Sequence, residues 1–322
     1  EISCSLVGSE MCIRDSLITL QCLKEQIIAA DLNVQVLIYQ KENDEKNRFI
    51  SELETLKIKA DKYALINENS LYEHAQKHVT GDIITYLNGG DRWTPGTLRQ
   101  VQEISEKYSK NNIFMLRKVM PDGTGGAFAM DEMNKKIVVQ DVTKEFYCYP
   151  FYFGGTFLSN KVFVENKFDE TLGMETEKDF FLRLMAKEKK FIFLNSQIYE
   201  SVEVQEGNST FYEGIYKREW YEESFTEFWI PFLKNLKEKY GKVPSFIQYH
   251  FMFTVKSRIM SNLNNRNKHV ISQGQEKLCL ERMGQAFQYI EDDIMFDCQK
   301  IKESHLTDSM KSVSYTHLTL PT

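Results

Sequence analysis

Leu20, Leu23, Ile27 and Ile28 recur at helical spacing and predict an amphipathic helix over 17–30. The run "NVQVLIYQ" (33–40) is β-rich and closes on the polar cluster "KENDEKN". After it come a helical pattern in "FISELETLKIK" (49–59), a short strand in "KYALIN" (62–67), a helix in "SLYEHAQKHV" (70–79) and a strand in "DIITYLN" (82–88). This alternation predicts βα units, an α/β class and a mainly parallel sheet flanked by helices. Thr94 before Pro95 predicts a helix start, with Thr94 as N-cap and proline at the first helical position of 94–109.

The pattern changes after 112. "NIFMLRKVM", "PDGTGG", "AFAM" and "KKIVVQDV" read as strands and turns of a hairpin-like region over 112–141, its glycines serving positive φ angles. "TGG" lacks the Gly-Lys-Ser/Thr ending of a phosphate loop. Helix returns at 177–190 and strand at 191–195. From about 205 the chain is an all-helical extension, with an aromatic amphipathic helix over 216–241 kinked at Pro231.

Composition narrows the classes. Net charge is −6 and the pI about 5.7, which argues against nucleic acid as a partner. The sequence has no run of eighteen apolar residues that could span a membrane. "SLVGSEMCIRDS" (5–16) and "VSYTHLTLPT" (313–322) look like translated sequencing-adapter sequence, so 1–16 and 312–322 are set apart as tails. That leaves an α/β domain over 17–204, its first strand missing or replaced by the tail, and a helical region over 205–311. Cys22, Cys148, Cys279 and Cys298 are widely spaced without a CxxC pair and read as reduced cytosolic thiols.

The candidate chemistry is acidic. In "YLNGGDRWTPGTL" (86–98) a buried strand runs into a turn where Asp91 stands between two glycines and an Arg-Trp pair. A strand-end carboxylate suits a divalent cation; equally, Gly89 and Gly90 shape a tight turn and Asp91 bonds nearby backbone. Glu175, Glu177 and Asp179 crowd the start of a helix, where acids complement the helix dipole or offer a general base. His74 and His78 are four apart but without a third ligand, and read as surface residues. Lys256, Arg258, Arg266, Lys268 and His269 beside Phe251, Met252 and Phe253 would suit a membrane surface or an anionic polymer, although a solvated helix face is the commoner outcome.

Three stretches together resemble a family 2 glycosyltransferase of GT-A fold: "GDIITYLNGGDRWTPGTL", "FYFGGTFLSNKVFVENKFDETL" and "ETEKDFFLRL". "YGKVPSFIQYHFMF" and "QYIEDDIM" resemble the segment after the transferase domain in bacterial wall-polymer enzymes, where a glycerophosphotransferase domain often follows. The resemblance implies a nucleotide-sugar donor, a surface-glycan or teichoic-type polyol-phosphate acceptor, Mg²⁺ or Mn²⁺, and inversion. It further implies a cytoplasmic location with a peripheral contact to the inner membrane face. It puts Asp91 on metal and diphosphate, with Asn88 and Gly90 where carboxylates are usual, and Asp44 on the donor side. Glu177 takes the place of the base, Glu175 is the alternative, Asp179 completes the acidic group, and Gly155 and Thr156 line the acceptor side. Without the Q-x-x-R-W signature, non-processive action is expected. The rival is a degenerate GT-A-like glycan-binding or assembly module.

Overall fold

Val36, Leu37, Ile38 and Tyr39 are buried one after another, as a strand covered on both faces requires. The computed structural model describes residues 2–8, 13–41, 54, 62–66, 71–119, 135–144, 152–201, 216–263 and 270–296. The chain divides into two units, 1–141 with 150–204 and 142–149 with 205–322.

The first unit is a mixed sheet between helical layers. Its strands are β1 (Ile2–Gly8), β2 (Val34–Lys41), β3 (Lys62–Ile66), β4 (Ile83–Asn88), β5 (Arg92–Trp93), β6 (Ile113–Val119), β7 (Ile137–Asp141), β8 (Thr156–Ser159) and β9 (Lys190–Glu200). Their order is β3-β2-β1-β4-β8-β6-β9-β5, with β7 also on β9. From β3 to β4 every pairing is parallel; beyond β4 the sheet mixes directions, only β6 and β9 running parallel there. β1 belongs to the segment set apart as an adapter-like tail, and it takes the place of a first strand between β2 and β4.

Helices α1 (Ile13–Ala30), α2 (Leu71–His78), α3 (Thr97–Lys107), α4 (Asn160–Glu165) and α5 (Thr176–Glu188) complete the unit. On one face Leu20 and Leu23 of α1 and Leu98, Val101 and Ile104 of α3 meet Val36, Ile38, Leu87, Phe114 and Ile192. Because strand side chains alternate, Tyr39 and Tyr86 point to the other face, where Tyr86 meets Phe153 and Phe163. Burying one such side chain contributes about 1.5–3 kcal/mol.

Two local expectations are corrected. Residues 112–141 do not form a hairpin among the described residues, because β9 lies between β6 and β7 and pairs with both. The helix after Pro95 starts at Thr97 with Gly96 as N-cap, since Thr94 is bonded instead to β9 through its amide to Ile198 O and its hydroxyl to Gln197 Oε1. The predicted helix over 49–59 lies outside the described residues except for position 54.

The second unit is helical: α6 (Arg218–Tyr221), a π-helical segment (Ser224–Trp229), α7 (Ile230–Tyr240), α8 (Ser245–Leu263), α9 (Gln273–Phe287) and α10 (Asp292–Met295). The irregularity expected at Pro231 lies just upstream, in the π segment, and proline occupies the first turn of α7, where its missing N–H costs nothing. Trp229, Phe225, Phe251 and Phe287 pack edge-on in the core. Arg258 is buried there, its guanidinium 3.9 Å from the Trp220 ring centre and its Nε–H donating to Trp220 O. The expected basic surface stretch is corrected accordingly: Arg258, Phe251 and Met252 face inward, Phe253 stays 44% exposed, and 266, 268 and 269 lie outside the described residues. Among the described residues no helix is long and apolar enough to cross a membrane.

The buried Cys279 thiol donates to Tyr221 O at 2.9 Å, and burial pushes it up to about 12. Peptide-mapped alkylation at pH 8 is expected to leave Cys279 unmodified in the native protein and to label it once denaturant is added.

Candidate active site

β4 delivers the chain into a turn whose residues Gly89, Gly90 and Asp91 are all buried. The Asp91 N–H closes the turn on Asn88 O, and Gly90 holds φ at 95°, a left-handed value that suits glycine. A buried turn needs partners for its carbonyls. α1 supplies them from one face at spacings of three and four residues. The Thr19 hydroxyl donates to Asp91 O (2.8 Å) and Asn88 O (3.2 Å), the Cys22 thiol to Trp93 O, and the Gln26 amide to Thr94 O (2.6 Å).

β9 holds the turn from the other side. Its register against β6 jumps between Leu116↔Leu194 and Arg117↔Ile198, and the displaced Gln197 accepts from the hydroxyls of Thr94 and Thr97. The bulge brings Tyr199 to the turn, where its hydroxyl donates to Asp91 Oδ2. Tyr199 stacks on Tyr152, ring centres 5.4 Å apart, and Tyr152 donates to Leu116 O. These rings press on Gly154 and Gly155: a Cβ at Gly154 would collide with the Tyr199 ring, and one at Gly155 with the Tyr152 ring. The Trp93 indole N–H closes the assembly on Gly154 O at 2.7 Å.

The acids at the start of α5 differ in their partners. Glu175 is buried and paired with Lys178, one helical turn on. Asp179 is buried and bound by Arg183 through Nε (2.9 Å) and Nη2 (2.5 Å). Glu177, half-buried, accepts a 2.6 Å hydrogen bond from the neutral hydroxyl of Tyr72 on α2. The Tyr72 ring stacks on Phe168 (4.3 Å, 11°), and Phe168 stacks on Phe180 (4.0 Å, 4°). Phe180 lies three residues after Glu177, so the phenol is stacked back onto the helix it bonds.

The residues expected to act thus occupy distinct settings. Asp91 is 1% exposed and bound to Tyr199, Asn88 ends β4 beside it, and Asp44 lies outside the described residues. Gly155 and Thr156 are buried, and the Thr156 hydroxyl turns inward to Tyr152 O. His78 donates Nδ1–H to His74 O. Among the described residues no group of three His, Cys, Asp or Glu is arranged for a metal ion. With one buried, phenol-bound carboxylate and a glycine at 90, the turn does not fit a resident Mg²⁺ or Mn²⁺. Sequence reasoning missed Tyr72, Tyr152 and Tyr199; their one signal was an aromatic on an otherwise polar helix, just before a Gly-Gly pair, or near a strand end.

No protein-family model matches the chain. It is 18% identical over 284 residues to the minor teichoic acid biosynthesis protein GgaB of Bacillus subtilis (strain 168), covering 87% of this chain and 31% of that relative. Among solved structures, S. aureus TarS 1–349 in complex with UDP-GlcNAc superposes with a TM-score of 0.68 at 9% identity, over 98% of this chain and 91% of that one. The mannosyltransferase PcManGT of Pyrobaculum calidifontis, in complex with GDP-Man and Mn²⁺, gives 0.53 at 11% identity, over 98% and 83%. The fold is GT-A-like, a sheet flanked by helices as expected, though mixed beyond β4.

The Asp91–Tyr199 bond is expected to anchor the turn. Asp91→Ala should cost about 1–3 kcal/mol in urea unfolding, the range for a buried polar group left unpaired. A double-mutant cycle with Tyr199→Phe should return a coupling of about 0.5 kcal/mol or more. An Asp91→Ala protein as stable as wild type would show the acid to be no anchor.

Proposed function

We propose that the chain is the glycosyltransferase part of a wall-polymer enzyme, moving a sugar from a nucleotide-sugar donor to a teichoic-type polyol-phosphate acceptor with inversion, one sugar per encounter. The observation that carries this reading is the start of α5. Glu177, which the resemblance puts in the place of the base, is half-buried there and accepts a 2.6 Å hydrogen bond from the Tyr72 hydroxyl. A general base must be held within hydrogen-bond reach of the proton it takes, and a fixed donor on one oxygen orients the carboxylate for that.

In this reading Glu177 takes the proton of the acceptor hydroxyl as its oxygen attacks the anomeric carbon. The new C–O bond forms on the face opposite the breaking bond to phosphate, and that bond's electron pair leaves with the nucleoside diphosphate. Glu175 and Asp179 act structurally, their charges spent on Lys178 and Arg183. The resemblance implies Mg²⁺ or Mn²⁺ for the leaving diphosphate, but the turn at Asp91 does not fit it, and no step here passes through a metal. The relatives support the acceptor class through GgaB and a UDP-sugar donor through the TarS complex.

One observation favours a second reading, a degenerate glycan-binding or assembly module: the strand-end acid is committed to Tyr199. Nucleotide release separates the two. Incubation with UDP-, CDP- and GDP-sugars and a sugar-stripped poly(polyol phosphate) is expected to release nucleoside diphosphate from one donor. Glu177→Gln should slow that release by about 10²–10⁴-fold while donor binding by calorimetry persists. Polymer binding without release from any donor would replace the transferase with the binding module.

A further inference from the structure

The 2.6 Å bond between the Tyr72 hydroxyl and Glu177 Oε1 joins residues 105 positions apart and is built with more support than a chance surface contact needs. α2, which carries Tyr72, is fastened to the segment leading into α5 at two points. Glu170 Oε1 accepts the backbone N–H of Glu73 in the first turn of α2 (2.8 Å), and the Gln76 amide donates to Phe163 O (2.6 Å) and Asn166 O (2.8 Å). The Tyr72 ring is fixed independently by its stack on Phe168 and by Phe153 and Tyr86, ring centres 5.5 and 5.6 Å away. Among the described titratable groups, the phenols of Tyr72 on α2 and Tyr86 on β4 interact with Glu177, and Glu170 before α5 acts on the same two phenols; Lys178 and Asp179 follow Glu177 on its own helix.

We infer that Tyr72 is a positioning residue for the base Glu177: its hydroxyl fixes one carboxylate oxygen, and so the direction in which the carboxylate meets the acceptor hydroxyl. This deepens the transferase reading and rests on it. Burial, and then the charge of Glu177, hold the Tyr72 phenol well above its ordinary range, so it stays a donor at any working pH. A carboxylate has about four lone-pair sites, so the phenol's bond does not by itself exhaust its acceptor capacity. A donor bonded to the ionised form lowers the carboxyl's affinity for a proton, so the base is ionised at lower pH than without Tyr72.

Tyr72→Phe keeps the ring stack and removes the hydroxyl. Two readouts follow from it. In protein labelled with [5-¹³C]glutamate, the Glu177 carboxyl resonance, assigned by its loss in Glu177→Gln, should titrate with a midpoint about half to one unit higher in Tyr72→Phe. The acid limb of the pH–rate profile for nucleotide release should move the same way. At the acid end kcat should fall about three- to tenfold, with the donor KM within about twofold of wild type. If Tyr72→Phe does not fold, Phe168→Leu, which keeps the hydroxyl but loosens its stack, should raise the midpoint by less.

An unchanged midpoint and acid limb in Tyr72→Phe, with Glu177→Gln inert, would overturn the role of Tyr72 alone. Glu177→Gln releasing nucleotide at the wild-type rate, or no release by the wild type from UDP-, CDP- or GDP-sugars, would overturn the base reading beneath it.

Discussion

Backbone carbonyls taken out of water at residues 88–94 must find donors inside the protein, and the first unit is arranged around supplying them. Each buried group left without a partner costs about 1–3 kcal/mol. A domain's whole stability is about 5–15 kcal/mol, so two or three such losses would consume much of it. Thr19, Cys22 and Gln26 meet this demand from one side of the turn, while on the other the bulged part of β9 binds the Thr94 side chain, donating the Ile198 N–H to its hydroxyl. The polar side chains of α1 therefore belong among its core-facing residues, where a hydrophobicity pattern alone would put leucines. The two tyrosine rings over Gly154 and Gly155 extend the same construction and leave no room there for a side chain.

Partner choice is also what separates the acids at the head of α5. Three carboxylates within five residues share the positive end of one helix. Lys178 and Arg183 neutralise two of them at the i+3 and i+4 positions. Glu177 is served from α2, across the aromatic stack.

The periodic parts of this fold were legible in the sequence. α1, β2, β4 and α5 follow directly from apolar spacing, because burial on one or two faces writes itself into that spacing. Features decided by distant partners were not. Thr94 has every local mark of an N-cap, yet β9 binds it from about a hundred residues away and the helix begins later. Asp91 has the look of a ligand because an acid after two glycines is chemically ambiguous; the phenol that commits it to the turn lies 108 residues on. Glu177 was picked out through a resemblance, since nothing in "ETEKDFF" says which acid will meet a cation and which a phenol. Tyr72 carries only the mark of an aromatic on an otherwise polar helix.

The bonds that define the site span 72 residues from Thr19 to Asp91, 105 from Tyr72 to Glu177 and 108 from Asp91 to Tyr199. Loop closure over such separations must be met before any of these contacts returns energy, so they belong to the late, non-local phase of folding. A fragment ending before β9 contains the first two of these bonds but lacks the bond from Tyr199 that holds Asp91. A nascent chain would carry its acids, its rings and its glycines for most of its synthesis without possessing a site. The site then comes into being together with the completed sheet, which makes chemical competence a report on the integrity of the whole first unit.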